Sequence, residues 1–456
     1  MTEDNIIIRG SKKGGQPRTP IEAPDTLQSN QFARVLDLIS EGEIDQFEDV
    51  FLDKTSLTNF SGYTREFRVG TQNQSPVSMD AAVEATSAVG VAVTQAGGSI
   101  TRTITNSDID RVSITVQIPT LQIIEDDGDI VGHAVTFQIS LQYNGGGYNV
   151  VAQPTISGKT SNPYSRTYNI PISGSFPVDI RLTRTSADES SAKRQNSLNW
   201  TSFTTIIDEL LRYPNSAVHF LEFNAQNFNS IPERRFLIRG IKVQIPHNAT
   251  VDTTTHIGRI TYSGLFNGTL GAATFTNDPA WCLFDLLKNT RYGCSIPEAN
   301  LDKFDFFAIS QYCNELVSNG KGGQEPRFSL NCVLNTRKEV FTVIKELCNV
   351  FRGLAYFTAG SFVIKQDKPT DSTYVINPSM VVDGFFEYNG TSIKSRHTCV
   401  TVAYQSYDMR GEVQFERVED ADAVRVYGVN HKEVKSIGCY SQGQAQRLGK
   451  WILETE

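Results

Sequence analysis

An α+β, β-rich chain of several domains is what this sequence predicts, and three observations carry that expectation. Apolar and polar residues alternate strictly through the middle of the chain. Val112, Ile114, Val116 and Ile118 oppose Ser113, Thr115 and Gln117, and Val135, Phe137, Ile139 and Leu141 repeat the pattern. Glycine is frequent, at 34 residues, and turn signals such as Asn144-Gly145-Gly146 separate the alternating runs. Helical periodicity is confined to a few short stretches, most of them after residue 280. With 456 residues, 39% hydrophobic and 20% charged, the chain can bury several cores and is folded rather than disordered.

Taken in order, residues 1–30 form a flexible basic arm. Arg9, Lys12, Lys13 and Arg18 are interleaved with Gly10, Gly14, Gly15, Pro17, Pro20 and Pro24, a composition that cannot build a core alone. The arm either stays solvated or orders against a neighbouring subunit, which makes those four cations interface candidates. Residues 31–70 open a domain. Phe32, Val35, Leu36 and Ile39 fall at helical spacing with Gly42 as a stop, so a short helix is expected, followed by strands over 47–52 and 65–69.

Residues 71–230 read as an inserted β-sandwich, because strands such as Val178, Ile180 and Leu182 recur with no strong helix among them. Residues 231–335 continue the interrupted domain. Ile241, Val243 and Ile245 alternate until Pro246. Trp281, Phe284 and Leu287 mark one helix, and Leu301, Phe304, Ala308, Tyr312 and Leu316 mark a second.

Residues 336–440 are mixed α and β. Thr336-Arg337-Lys338-Glu339 reads as a capping box for a helix with the stripe Val340, Ile344, Leu347, Cys348 and Phe351, ended by Gly353. Strands follow at 354–366, and Arg396–Tyr404 is expected to pair with Glu412–Val418. Residues 441–456 start a helix behind a second box, Ser441-Gln442-Gly443-Gln444. Ala445, Leu448 and Ile452 share a face, with Trp451 and Leu453 beside it. No stop precedes Glu456, so the expectation is a truncated helix with apolar side chains left uncovered. Trp451 and Ile452 are therefore interface candidates.

The chemistry that the sequence carries is sparse. The net charge of −8 argues against nucleic acid as the main partner of the folded body. No run of apolar residues approaches a transmembrane span, and Met1–Asn5 does not open like a secretory signal. Seven cysteines, none before Cys282 and none in C-x-x-C spacing, do not form a disulfide framework or a metal-binding pattern.

The histidines at 133, 219, 247, 256, 397 and 431 match no metallohydrolase motif and read as surface or satisfied structural residues. Glu125-Asp126-Asp127-Gly128-Asp129 is the densest acidic cluster. It offers hard oxygen ligands for calcium, with Glu125, Asp126, Asp127 and Asp129 as weak candidates, but lacks EF-hand spacing and reads first as a solvated turn. Gly320-Lys321-Gly322-Gly323 lacks a P-loop context and reads as a connector. No cofactor and no catalytic residue is expected, and the chain reads as something other than an enzyme.

Several segments, read in order, are familiar. Thr19-Pro20-Ile21-Glu22-Ala23-Pro24-Asp25 leads to Asp37-Leu38-Ile39-Ser40-Glu41-Gly42, then to Phe67-Arg68-Val69-Gly70-Thr71 and Ile100-Thr101-Arg102-Thr103. Ala280-Trp281-Cys282-Leu283-Phe284-Asp285-Leu286-Leu287, with Arg291-Tyr292-Gly293 behind it, is the most specific stretch. Gln366-Asp367-Lys368-Pro369 and Gln442-Gly443-Gln444-Ala445 follow in register. Over residues 19–456 this series resembles the N-terminal portion of the host-specificity J proteins, or tip attachment proteins, of lambda-like phages with long non-contractile tails.

The resemblance implies a structural tail-tip hub of the virion, assembled in the host cytoplasm. It implies a homotrimer with tube-like β-barrel domains that closes the tail tube, connects to the receptor-binding tip and opens for DNA ejection. The implied neighbours are the distal tail protein, other tail-tip proteins and the tape-measure protein, with DNA present only in transit. Contact with the host receptor would fall to a C-terminal region beyond this chain, and the helix from Ser441 would relay the opening signal. The competing expectation is a carbohydrate-binding adhesion module in the sandwich, with Tyr143, Tyr148 and Tyr164 stacking on sugar rings.

Overall fold

The computed structural model describes residues 19–29, 32–77, 83–189, 191–209, 211–224, 228, 230–358, 360–388 and 396–455. Arg9, Lys12, Lys13 and Arg18 lie outside them.

The first structural unit is built from two sheets. The strand Phe32–Glu41 pairs antiparallel with Ser216–Asn224, which in turn pairs with Thr64–Val69. The helix expected over Phe32–Ile39 is therefore a strand. Its two faces are both lined with apolar residues. Ala33 and Val35 pack with Val50, Leu52, Leu221 and Phe223, while Leu36 on the other side packs with Val77, Val218 and Phe220. A strand covered on both sides loses the period of two, and its residual spacing mimics a helix. The second sheet orders Leu270–Phe275, Arg234–Pro246, Ile44–Leu52 and Thr55–Ser56.

His219 is buried where the two sheets meet. Its ring lies 5.1 Å from Phe236 and 5.8 Å from Phe47, and Phe47 is 5.0 Å from Phe67. The side chain is fully buried and neither ring nitrogen has a hydrogen-bond partner. Burial, with Arg65 nearby, lowers its pKa to about 4. The expectation of a surface or satisfied histidine fails at this position.

Gln74 closes the neck through which the chain leaves this unit and returns. Its Oε1 accepts from Gly70 N at 2.9 Å, and its Nε2 lies within 2.6–3.0 Å of the carbonyls of Arg212, Tyr213 and Ser216. Gly70 has φ +96°, and a Cβ there would stand 2.6 Å from the carbonyl oxygen of Gly42, so only glycine fits. Gln74→Ala takes the acceptor from Gly70 N and a donor from the carbonyls of Arg212 and Ser216, while Tyr213 O keeps Ser216 N. It is expected to cost about 1–3 kcal/mol in urea unfolding, whereas Gln74→Glu keeps the acceptor and loses the donor.

Between the arms of that neck lies a β-sandwich. One sheet orders Tyr164–Pro171, Arg111–Ile118, Asn199–Ile207 and Val83–Ala92. The other orders Asn149–Ala152, His133–Tyr143, Val178–Arg184 and Ile100–Ile104, with Thr155–Gly158 also paired to His133–Tyr143. The alternating residues from Val112 to Leu182 that the sequence places inward are fully buried and meet Trp200 in one core.

The last part of the basic arm is a strap on this sandwich. Ile130 N donates to Ile21 O at 3.0 Å and Ala23 N to Ile130 O at 2.9 Å. Thr26 N and Leu27 N both reach Lys159 O. The Lys159 ammonium, nearly buried, is clamped by Glu22 at 2.7 Å and Asp25 at 2.8 Å, and Leu27 joins the sandwich core. Over residues 19–29, then, the arm lies along its own chain, with most of its side chains still exposed.

Three helices share the next core: α1 (Pro279–Lys288), α2 (Lys303–Cys313) and α3 (Val340–Val350). Trp281, Phe284 and Leu287 of α1 are fully buried, as expected. In α2 the inward face is Phe306, Ile309, Ser310 and Cys313, whereas Phe304 and Ala308 are exposed, Tyr312 is half-buried and Leu316 lies past the helix in a strand. The expected stripe is thus rotated, because Ser310 and Asn314 are drawn into a polar network described below. α3 begins at Val340 with extended Glu339 as its cap and no capping side chain, so the box at Thr336 does not form; Lys338 instead pairs with Glu346. Residues 320–323 turn the small hairpin of Leu316–Ser318 and Gln324–Pro326.

The final unit is a three-stranded sheet. Cys399–Gln405 pairs antiparallel with Val413–Glu419 and parallel with His431–Lys435, across the helix α4 (Ala421–Tyr427) capped by Asp420. The helix α5 (Gln442–Thr455) lies on it. Among the described residues no sheet closes into a barrel. The expected tube-like barrels are therefore not seen: Arg234–Pro246 pairs with Ile44–Leu52 along its first part and with Leu270–Phe275 only at its end, and the strand order stays open.

Candidate assembly interface

The C-terminal helix is anchored, not open. Ser441 Oγ accepts from Gln444 N at 3.0 Å, which caps α5 as expected. The reciprocal half of the box does not form. The Gln444 side chain instead accepts from Ser329 N and Oγ and donates to Ser329 O at 3.1 Å. Arg447 reaches Glu325 at 2.8 Å, Ser318 O at 3.2 Å and Arg327 O at 3.0 Å. Ala445, Ile452 and Leu453 are buried against Val400, Val402 and Tyr404. Trp451 is half-buried, with its Nε1 3.2 Å from Asp367 Oδ2 and the Arg352 guanidinium 5.1 Å from its ring. The expected uncovered face is therefore covered within the chain. Ile452 packs on the last sheet, while Trp451 meets Arg352 and Asp367, which flank the hairpin of Gly353–Thr358 and Ser361–Gln366.

Uncovered apolar surface lies elsewhere. Most of the exposed large apolar side chains among the described residues come after residue 332. The densest run follows that hairpin, in a segment with two short turns, Pro378–Met380 and Val382–Gly384, and no strand. Tyr374, Val375, Ile376, Met380, Val382, Phe385 and Tyr388 all face outward, with Val382 85%, Phe385 81% and Tyr388 88% exposed. Leu354, Tyr356 and Phe357 on the hairpin and Val340 and Phe341 on α3 add to it. Isolated exposed apolar residues are ordinary, but a concentration of this size has the composition of a contact surface. In sequence this stretch lacks alternation or helical period, so only its composition could have flagged it.

The acidic loop forms a tight turn. Glu125 N donates to Asp129 O at 2.8 Å, Asp129 Oδ1 accepts from Ile21 N at 2.8 Å, and Asp126 pairs with Lys193 at 2.8 Å. Carboxylate oxygens of Glu125, Asp127 and Asp129 lie within 4.8 Å of one another and could offer three ligands to a cation; Asp126 points to Lys193 instead. Part of this charge serves to hold the strap. The tyrosines considered for sugar stacking have other uses. Tyr143 and Tyr164 pack on the sandwich core, and the Arg181 guanidinium covers the Tyr148 ring at 3.6 Å.

The thiols of Cys282 and Cys313 are pushed up by burial, which suits inert core residues. A second buried network sits at α1. Asp278 Oδ1 accepts from Trp281 N at 2.8 Å. Its Oδ2 accepts from Ser310 Oγ at 2.7 Å and from Asn314 Nδ2 at 2.5 Å. Trp281 Nε1 and Ser310 Oγ both meet the Tyr262 hydroxyl. These contacts tie α1 to α2 and to the strand that carries Tyr262.

Residues 83–209, which make up the sandwich, match the family model "Tip attachment protein J, FNIII-A domain". The whole chain is 32% identical to the tip attachment protein J of Escherichia phage SECphi27, over 98% of this chain and 38% of the relative. It is 33% identical to that of Escherichia phage SECphi4, over 96% of this chain and 39% of the relative. Over nearly all its length this chain is similar to tip attachment protein J. It spans about four tenths of the length of those curated relatives. A solved GH115 4-O-methyl-α-glucuronidase overlaps 28% of this chain and 18% of its own, at 13% identity and a TM-score of 0.17, too low to carry any argument.

Proposed function

We propose that this chain is a structural protein of a phage tail tip, in which three copies form a hub that closes the tail tube and opens for DNA ejection. The uncovered apolar run at Tyr374–Tyr388 carries this reading, in a chain similar to tip attachment protein J over nearly all its length. Burying such side chains between subunits supplies about 25 cal/mol per Å², which favours a permanent assembly over a transient one.

In the tail the hub contacts the distal tail protein, other tail-tip proteins and the tape-measure protein. DNA passes through its lumen, and the host receptor is met by a region beyond residue 456. The net charge of −8 suits a conduit to which DNA does not adhere. The anchoring of α5 supports a modified relay: a signal arriving at residue 455 would pass through Arg447 and Gln444 into the α1–α3 core.

Light scattering of the purified chain tests the assembly. A trimer is expected, and Val382→Asp with Phe385→Asp is expected to weaken it at least about tenfold, because two charges would enter an apolar contact. A wild-type chain that stays monomeric at high concentration contradicts the proposal.

A further inference from the structure

We infer that the hairpin tip at residues 406–412 is a salt-sensitive latch, by which the last sheet docks on the first structural unit and from which it swings free without unfolding. The tip joins Cys399–Gln405 to Val413–Glu419 and is braced within itself: Ser406 N donates to Glu412 O at 3.0 Å and Gly411 N to Ser406 O at 2.8 Å. It meets the turn between the strands Ile44–Leu52 and Thr55–Ser56. That turn is fixed through Asp53, whose N–H donates to Glu233 O at 2.7 Å and whose Oδ1 accepts from Glu233 N at 3.0 Å. Two self-supporting pieces therefore face each other.

Charge joins them. Arg410 Nη1 donates to Lys54 O at 2.9 Å, across 356 residues of chain, and its guanidinium stands 4.6 Å from the centre of the Phe51 ring. Glu412 lies 2.9 Å from Lys54 Nζ and 3.7 Å from Arg235 Nη1, so one carboxylate draws on two cations of the first unit. The Lys54 side chain is 76% exposed. Exposed ion pairs contribute little each and weaken as salt screens them. Apolar contact does not make up the difference. Among the described residues no apolar core holds side chains from both units. The junction instead borders an open cavity of about 230 Å³, lined from both sides by residues that include Phe51, Arg235, Met409 and Arg410. A gap of that size has room for several waters and forfeits the dispersion contacts of close packing. The other attachment of the same sheet is firmer, because Ala445, Ile452 and Leu453 are buried against it and Gln444 is bonded to Ser329. Of the two, the tip lets go first, and α5 is the hinge. One chain suffices for this contact, which is independent of the tail-tip reading.

Zero-length carbodiimide cross-linking of the full chain tests it, because Lys54 and Glu412 are close enough to be joined as an amide. The yield is read by peptide mass spectrometry against the pair Lys303–Glu298, 2.8 Å apart and kept together by the local chain. Raising sodium chloride from about 0.1 M to about 1 M shortens the screening length from ~10 Å to ~3 Å. The Lys54–Glu412 yield, divided by the reference, is expected to fall at least about fivefold. Arg410→Gln leaves both cross-linked residues in place and is expected to lower the yield at low salt at least about fivefold as well. A normalised yield that stays level in either arm, or no Lys54–Glu412 product at low salt, overturns the inference. Mixing isotopically heavy and light chains completes the test: products that carry one label of each would place the tip on another copy and overturn it too.

Discussion

Replacing Asp278 by alanine is expected to lower stability by about 2–4 kcal/mol in urea unfolding, because one buried carboxylate serves three donors. It caps α1 through Trp281 N and ties α2 to α1 through Ser310 and Asn314. Alanine removes the acceptor of the Trp281 N–H and takes one acceptor each from Ser310 and Asn314, which keep Tyr262 and the Ser310 carbonyl, in a buried site. The effect has a pH signature. Burial raises the Asp278 pKa above the ordinary carboxylate value, despite those donors. The folded chain therefore binds this proton more readily than the unfolded chain. The associated stability is fully present below the unfolded pKa and is lost as pH rises through the folded one. The deficit of Asp278→Ala against the natural chain should accordingly be larger at acid pH and shrink towards neutrality.

His219→Phe is expected to do the opposite. The natural imidazole is neutral in the fold, at a pKa lowered from 6.5 to about 4. Below pH 6.5 the unfolded chain takes up a proton that the fold refuses, so stability falls with pH until about 4. At 1.36 kcal/mol per unit, the loss reaches about 3 kcal/mol across that window. Arg65 and Arg234 oppose the charge, and Asp37 favours it less strongly than burial opposes it. Phenylalanine extends the ring cluster of Phe47 and Phe236 and has no nitrogen to leave unpaired. The variant should be somewhat more stable at pH 7. At pH 4.5 its advantage should widen by about 2–3 kcal/mol. Parallel urea titrations at both pH values measure the difference; equal shifts at both would mean that the imidazole is not buried neutral.

How much of this was legible depended on how each residue is covered. The sandwich could be read because Val112–Ile118 and His133–Tyr143 each bury one face, and alternation is then visible. Trp281, Phe284 and Leu287 could be read because α1 presents one stripe to the core. Phe32–Glu41 could not, since apolar residues on both faces erase the period of two. The inward face of α2 was hidden by a polar requirement: Ser310 and Asn314 turn towards Asp278, and Phe304 is displaced onto Phe266.

The contacts that fix the larger architecture are long-range and polar. Lys159 meets Glu22 and Asp25, Gln74 meets Ser216, and Arg447 meets Glu325, with more than a hundred residues between partners in each case. No local pattern announces such pairs. The resemblance to tail-tip proteins agrees with the curated relatives but overstated the barrels, which no sheet forms among the described residues. Of the candidate site, Trp451 and Ile452 drew attention to the C-terminal helix, whereas the apolar run at Tyr374–Tyr388 had no periodicity to reveal it.

The most direct measurement is a cryo-electron-microscopy reconstruction of the phage particle that carries this chain. Three copies around the tail axis at the distal end of the tube are expected, with Val382 and Phe385 covered by a neighbouring subunit. A chain found along the tail shaft or missing from the tip, or one whose Tyr374–Tyr388 run faces solvent in the particle, would contradict the account.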